Sequence, residues 1–454
     1  MSALHAALGR FLSEPRAPRV LVLPAPVVTL ERSLLAAFEA PRVAVSAPAG
    51  LRLGGGAVPL AGDRGSLQRA PRGFRTVLAE GAPDHRAAVF FARPFDPEDP
   101  RNHCTDSALR VEAVPWALGH EPPHRLPRWQ YQRAGAHASL SLALAEGEAP
   151  DPGALHQALG ALLHALETSP RAVAPRSPTI LRQRDLSIED WNTYLLNIHN
   201  TLKNKHYQKI VAARVRALEL DHAPEPEAVF LRAGALHPGA AALLWGLDGG
   251  ALVGATPETL VRVERDGALV THALAGTRRD AGEDPEGALR ASPKDLAEHR
   301  AVVEGIAGSL EGLCDEVYVE PSPGVRRAGE LLHLETPVRG RLRAAMDPLE
   351  AVTALHPTPA VGALPREGAA AWLRRHEPAA RGLYAGPVGW VELPREGEGA
   401  ALEARVALRC ALLRGARAYL YAGAGVMPTS RSEDEYAETD AKLRPMLRAL
   451  GVEG

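Results

Sequence analysis

Apolar residues recur along the second half of the chain at two spacings. At Trp191, Leu195, Ile198 and Leu202 they fall every three or four positions, one face of a helix. Ser187, followed by Glu189 and Asp190, supplies the start of that helix, and its end is predicted near Lys205. The run KIVAARVRAL from Lys209 then carries the branched residues of a strand. Ser292-Pro293-Lys294-Asp295 opens another helix, with Ser as N-cap, Pro at the first helical position and Asp in the first turn. Val302, Val303 and Ile306 mark its buried face. Around these helices the pattern is strand-like: AALLWGLDGGALVGAT, TLVRVERDGALVTHALAG, DEVYVEPS, LLHLETPVRGRL, LYAGPVGWVEL, ALEARVALRCALL and AYLYAG. Gly249-Gly250 and Asp266-Gly267 favour hairpins between neighbouring runs.

Before Ser187, short apolar runs at 20–24, 87–95 and 138–145 alternate with loops rich in Pro, Gly and Arg, which suggests antiparallel sheet rather than regular βαβ units. Residues 154–168 have helical spacing, and SPRAVAPRSPT after them reads as an exposed connector with a boundary near Ser177. The predicted fold class is α+β, with two large mostly antiparallel β-sheets packed together and helices outside. Residues 1–186 form a variable N-terminal part of this sandwich and 187–454 the part bearing the candidate chemistry, within one structural unit.

Composition narrows the function. A chain of 454 residues with 46% hydrophobic and 23% charged residues can bury an ample core. Its net charge of −2 provides no field for nucleic acid or anionic lipid, so a small molecule is the expected partner. Neither a signal peptide nor a membrane span is expected, which predicts a cytoplasmic protein. Cys104, Cys314 and Cys410 are far apart and lack metal spacing, so neither a disulfide nor a thiolate metal site is expected.

Candidate chemistry gathers first between Tyr421 and Lys442. An apolar run ends in Gly423-Ala424-Gly425, read as a turn, and an acidic helix opens at Ser432. Glu435, Glu438 and Lys442 share one face of that helix. Carboxylates beside a glycine turn suit a divalent cation bridging them to an anion. The same residues also read as a capping box, Ser432 with Glu435, and an i, i+4 surface pair. Lys209 opens an apolar strand and is either a base in a cleft or a solvated strand end. Glu258, in VGATPETL, is either a protonated acid in apolar surroundings or a turn residue. Glu298 lies four residues before Val302 and points inward, so it needs a lysine, an arginine or a metal shared with Glu438. Arg409 ends an apolar strand and could clamp a carboxylate.

Nine blocks carry a resemblance to a known family. They are QKIVAAR (208–214), GATPETL (254–260), LAGTRR (274–279), KDLAEHRAVVEGI (294–306), LLHLETPVRGRL (331–342), LHPTPAVGALP (355–365), RGLYAGPVGWVE (381–392), ALRCALL (407–413) and the segment 421–447. In this order they resemble the chorismate-utilising enzymes, a family that includes isochorismate synthase, anthranilate synthase component I, aminodeoxychorismate synthase component I and salicylate synthase. The resemblance runs from about Trp191 to the end; before it, only AVFFARPFDPEDP is similar to isochorismate synthases.

The resemblance implies that residues 187–454 are the chorismate-binding catalytic region. It implies Mg²⁺ held by Glu298 and Glu438, with Glu435 acting through water, Lys209 as the base that activates water, and Glu258 as the acid at the C4 hydroxyl. Arg409, Tyr384, Lys442, Gly423 and Gly425 would bind the enolpyruvyl carboxylate and its surroundings, while Thr277 and His333 line the pocket. Ala275 stands where lysine-nucleophile relatives carry their lysine, and HPTPAVGALP replaces the loop typical of anthranilate synthases. Both features are similar to isochorismate synthase, which implies conversion of chorismate to isochorismate without an amidotransferase, in a monomer or weak dimer. Salicylate synthase, anthranilate synthase component I and a non-catalytic chorismate-binding protein are the alternatives, and menaquinone or siderophore biosynthesis the expected pathways. Thr259, the longer stretch GEGAALEARVALR and a shorter path from Glu258 to Glu298 depart from the family pattern.

Overall fold

The computed structural model describes the chain apart from residues 1, 14–18, 26–37, 39–41, 49, 56–74, 81, 104–113, 115, 117, 119–123, 146–147, 149, 169–175, 329–330, 345, 396 and 453–454. Cys104 and most of the expected connector therefore lie outside the described residues, while Cys314 and Cys410 are buried free thiols.

Among the described residues the larger sheet has 13 strands. One end is formed by β18 (Ala363–Leu364), β10 (Lys209–Leu220), β22 (Arg417–Val426), β21 (Cys410–Arg414) and β12 (Gly250–Thr256). The sheet continues through β11 (Ala241–Leu247), β2 (Val43–Ala47), β3 (Gly50–Gly55) and β7 (Trp129–Ala134). It finishes with β8 (His137–Leu144), β1 (Arg19–Pro24) and β4 (Arg75–Leu78), while β9 (Ile180–Asp185) pairs with β10.

The smaller sheet has nine described strands, starting β15 (Cys314–Val319), β17 (Leu331–Leu342), β14 (Ala268–Arg279) and β13 (Thr259–Val263). After them come β20 (Leu402–Val406), β19 (Pro387–Glu392), β5 (Ala88–Ala92) and β6 (His124–Arg125), with β16 (Gly324–Ala328) on β17. Nearly all pairings are antiparallel; β1 with β4 is the parallel one described. Strands from before residue 187 thus enter both sheets.

Alternation along the strands sets the layers. In β22, Tyr419 and Tyr421 point into the core between the sheets, whereas Leu420 and Ala422 face the other side. That outer side is covered by α1 (Ser2–Leu12), α2 (Pro152–Thr168), α4 (Pro226–Leu236) and α9 (Ser432–Leu450), whereas α3 (Ile188–Lys203) packs into the core between the sheets. The remaining helices are α5 (Pro285–Arg290), α6 (Pro293–Glu311), α7 (Pro348–Leu355) and α8 (Ala369–His376). Val302, Ile306 and Leu310 of α6 pack with Val338 and Leu342 of β17.

Both predicted helix starts are as expected. The Ser187 side chain accepts the Asp190 N–H, and Ser292 accepts that of Asp295. Trp191, Leu195, Ile198 and Leu202 are buried, and the Gly249-Gly250 and Asp266-Gly267 turns join β11 to β12 and β13 to β14.

Candidate functional site

Of the chain segments that cross from one sheet to the other, two deliver a chemically active side chain to the same place. The passage from β12 to β13 carries Glu258, and that from β20 to β21 carries Arg409. They meet the first residue of β10, Lys209, and the second turn of α6, where Glu298 sits. Every candidate residue except Glu435 lines one cavity of about 590 Å³, its mouth included: Lys209, Glu258, Thr277, Glu298, His333, Tyr384, Arg409, Gly423, Gly425, Glu438 and Lys442.

Lys209 is 1% exposed, and its Nζ lies 2.8 Å from Glu298 Oε1. The inward Glu298 has therefore found a lysine. Burial alone would raise its carboxyl, but Lys209, with Lys442 and Lys294 behind it, holds it below the ordinary carboxylate value. Glu258 is buried too, yet no hydrogen-bond or ion-pair partner reaches its carboxyl among the described residues. Burial pushes it up from 4.5 to about 7, against the pull of Lys209, Arg409, Lys442 and Arg326. The acid reading of Glu258 thus has its physical basis in a buried carboxyl with no ion-pair partner among the described residues.

Arg409 is held in the left-handed region at φ 47°, a conformation that costs a non-glycine residue energy and recurs at functional sites. Its guanidinium forms no ion pair with a described residue. Tyr384 stacks on Tyr421 with ring centroids 4.9 Å apart, which orients its hydroxyl. His333 Nδ1 is 3.0 Å from Thr277 Oγ1, while its buried Nε2 has no partner among the described residues and belongs to the cavity lining. Burial, with Arg409 and Lys442 nearby, keeps this imidazole well below its ordinary value, hence neutral.

Gly423-Ala424-Gly425 is not the turn read from the sequence. All three lie inside β22, opposite Ala213, Ala212 and Val211 of β10, and the turn comes after Val426. Glycine is needed there for close approach. A Cβ at Gly425 would stand 2.7 Å from both Glu298 Oε1 and Lys209 Cε, and one at Gly423 would stand 3.0 Å from the Tyr384 hydroxyl. Beyond Leu420, β22 has no β21 partner in register, so its edge is open to the cavity.

The capping box is also corrected. Arg431 is the N-cap of α9, without a side-chain cap, and the Ser432 hydroxyl donates to Asn192 Oδ1. Glu435 is 1% exposed and takes a 2.9 Å ion pair from Lys294. Lys442 does pair with Glu438 at i, i+4, at 2.6 Å, but this is a cavity pair, and its Nζ also donates to Gly423 O at 2.9 Å.

Glu298 and Glu438 offer hard oxygen donors suited to Mg²⁺, and Lys209, Lys442 and Lys294 balance the acidic cluster. Among the described residues no three His, Cys, Asp or Glu side chains converge as a metal cage. That donor set fits an ion held by two carboxylates together with substrate oxygens and water.

Sequence reasoning passed over the Glu435–Lys294 pair and the apolar walls, Ala360 and Val361 among them. A Glu in the first turn of α9 and the lysine in the first turn of α6 were both visible, but their meeting depends on how the two helices pack. A larger cavity, of about 1130 Å³, lies elsewhere between the sheets beside Arg52, Trp390 and Glu392.

Comparison with known proteins agrees with this geometry. The salicylate biosynthesis isochorismate synthase of Pseudomonas aeruginosa is 36% identical over 379 residues, 77% of either chain. The isochorismate synthase MenF of Bacillus subtilis is 34% identical over 282 residues, 60% of this chain and 58% of its own length. The structure of MenF, the menaquinone-specific isochorismate synthase from Escherichia coli, superposes with a TM-score of 0.77 at 26% identity, covering 99% of each chain. A family model described as chorismate binding enzyme matches residues 111–451, and with the relative that shares 77% of its length this establishes that the chain belongs to the chorismate-binding enzymes.

Proposed function

We propose that the chain is an isochorismate synthase, an isomerase that adds water at C2 of chorismate while the C4 hydroxyl departs. The observation that carries this reading is the buried, unpaired Glu258 carboxyl, raised to about 7, in the same cavity as Lys209. The isochorismate synthase relatives support the choice within the family, as does Ala275, which lines the cavity and offers no nucleophile.

Hydroxide is a poor leaving group, so the C4 oxygen must be protonated as its bond to carbon breaks. Glu258 gives that proton. Lys209 accepts one from the water that forms the new C2–O bond, and the elements of water balance. An ammonium is no base, so Lys209 acts only as the free amine, after the ammonium that pairs with Glu298 has released its proton to solvent. Arg409 and Tyr384 orient the enolpyruvyl carboxylate, and the neutral His333 turns Nε2 to the substrate. Mg²⁺, held by Glu298 and Glu438, would neutralise the ring carboxylate and draw electron density from the allylic system. With water as nucleophile no amidotransferase is required. A cytoplasmic location fits the absence, among the described residues, of any helix long and apolar enough to cross a membrane.

Purified protein incubated with chorismate and Mg²⁺ is expected to accumulate isochorismate, and chelation to stop it. Salicylate formed without an added lyase would transfer the chain to the salicylate synthases, and anthranilate formed with ammonia to the anthranilate synthases. Glu438→Gln is expected to raise the Mg²⁺ needed for half-maximal rate by about tenfold; an unchanged titration removes it from the ligand set.

A further inference from the structure

Glu258 sits in the two-residue passage Pro257-Glu258 between β12 and β13, and the direction of its side chain depends on one peptide plane. The Pro257 carbonyl and the Glu258 N–H belong to the same planar unit. Thr256 Oγ1 accepts the N–H at 3.2 Å, and Arg326 Nη1 donates to the carbonyl oxygen at 2.9 Å. Both edges of the plane are therefore held. Thr256 is itself fixed, since its hydroxyl donates to Val406 O at 2.6 Å.

Arg326 comes from β16, opposite His333 on β17. Its other terminal nitrogen donates to Glu335 Oε1, which also lies 2.8 Å from His272 Nδ1 of β14. Burial would raise Glu335, but His272 and Arg326 hold it below the ordinary value, so a carboxylate anchors the guanidinium. Arg326 does not line the cavity, and its side chain is 28% exposed.

We propose that Arg326, anchored by Glu335, is a positioning residue that fixes the peptide plane before Glu258 and so aims the proton-donating carboxyl at the departing oxygen. This rests on the reading of Glu258 as the acid. The charged and titratable groups facing Glu258 are Lys209 from β10, Arg409 from the β20–β21 passage, Lys442 and Glu438 from α9, Glu298 from α6, His333 from β17, Tyr384 ahead of β19, and Arg326 itself. Removing Arg326 thus both frees the plane and takes away one cation.

The test compares kcat, KM and the pH profile of Arg326→Met and Arg326→Lys, alone and with Glu258→Gln. Arg326→Met is expected to lose about tenfold or more in kcat, with KM for chorismate and Mg²⁺ demand within about twofold. Its alkaline limb moves to higher pH, because a carboxyl that has lost a facing cation holds its proton longer. Arg326→Lys, which keeps the charge but not the fork, restores the limb and part of kcat. In the Glu258→Gln background Arg326→Met adds little further loss. A kcat within about twofold of the parent, a loss with the limb unmoved, or full additivity with Glu258→Gln overturns the proposal. If Glu258→Gln alone turns over like the parent, the acid assignment itself fails, a result distinct from failure of the clamp.

Discussion

Among the described residues, two cavities between the sheets are lined with charge, and they differ in how that charge is met. Beside β3 and β19, Arg52 is stacked 3.9 Å over Trp390 and bonded to Glu392 at 2.8 Å, and Glu392 also takes Arg265 at 2.8 Å. Glu403, nearby, is taken by Arg405 at 2.7 Å. Around Lys209 the pairing is incomplete. Glu258 and Arg409 lack partners among the described residues, His333 Nε2 is orphaned, and Arg409 is strained. Burying a charge is tolerable when it is paired, so the first cavity reads as support. Unmet buried groups cost stability and are kept where a substrate completes them. The smaller cavity is the one built to react.

The largest effect should come from spoiling the paired cavity. Glu392→Gln removes the carboxylate that pairs with the buried Arg52, leaving it only neutral acceptors such as the Arg86 carbonyl at 2.9 Å, and should cost about 3–5 kcal/mol of stability in a denaturant titration. Turnover of the folded fraction should stay within about twofold; a selective loss of turnover would end the contrast drawn between the cavities. Next, Lys209→Ala should lower turnover by about 10²-fold or more while chorismate still binds, as judged by single-turnover mixing and calorimetry. Near-normal turnover would take Lys209 out of the mechanism.

The mildest probe is pH. Glu258 acts only when protonated, so the rate should fall as pH rises through about 7, by about tenfold one unit above it. Because burial raises this carboxyl from 4.5, the folded state binds the proton more tightly than the unfolded one. Its stabilising contribution is full below 4.5 and is lost as pH climbs to about 7. Glu258→Gln should flatten that part of the stability profile. A slope identical to the parent's would mean that Glu258 is solvated after all.

Local signals were legible because their causes are local. Ser187 and Ser292 start helices since a side-chain oxygen three residues back meets an orphan N–H, whatever lies beyond. Hairpins at Gly249 and Gly267, with φ of 69° and 83°, follow from glycine's access to the left-handed region. The reading of Glu298 was half complete: helix periodicity showed that it pointed inward, and burial cost that it needed a partner, but two partner types stayed open. Only β10 lying against α6 chose Lys209. The glycine pattern misled for the same reason, since Gly423 and Gly425 look like a turn until Tyr384, Lys209 and Glu298 are seen crowding against a strand. Ser432 and Glu435 match a capping box, yet Lys294 from another helix outbids the local N–H for the carboxylate.

By itself, then, the sequence determined the periodicities, the helix starts, the alternating strands and the set of residues able to do acid, base and carboxylate chemistry. The tertiary structure decided which of these share a cavity, which charges are paired and which left open, and that Arg326 stands behind Glu258. The physical reason is one of range. Caps, turns and alternation depend on neighbours a few residues away, whereas desolvation and ion pairing depend on residues separated by up to several hundred positions and brought together only when two sheets close over them.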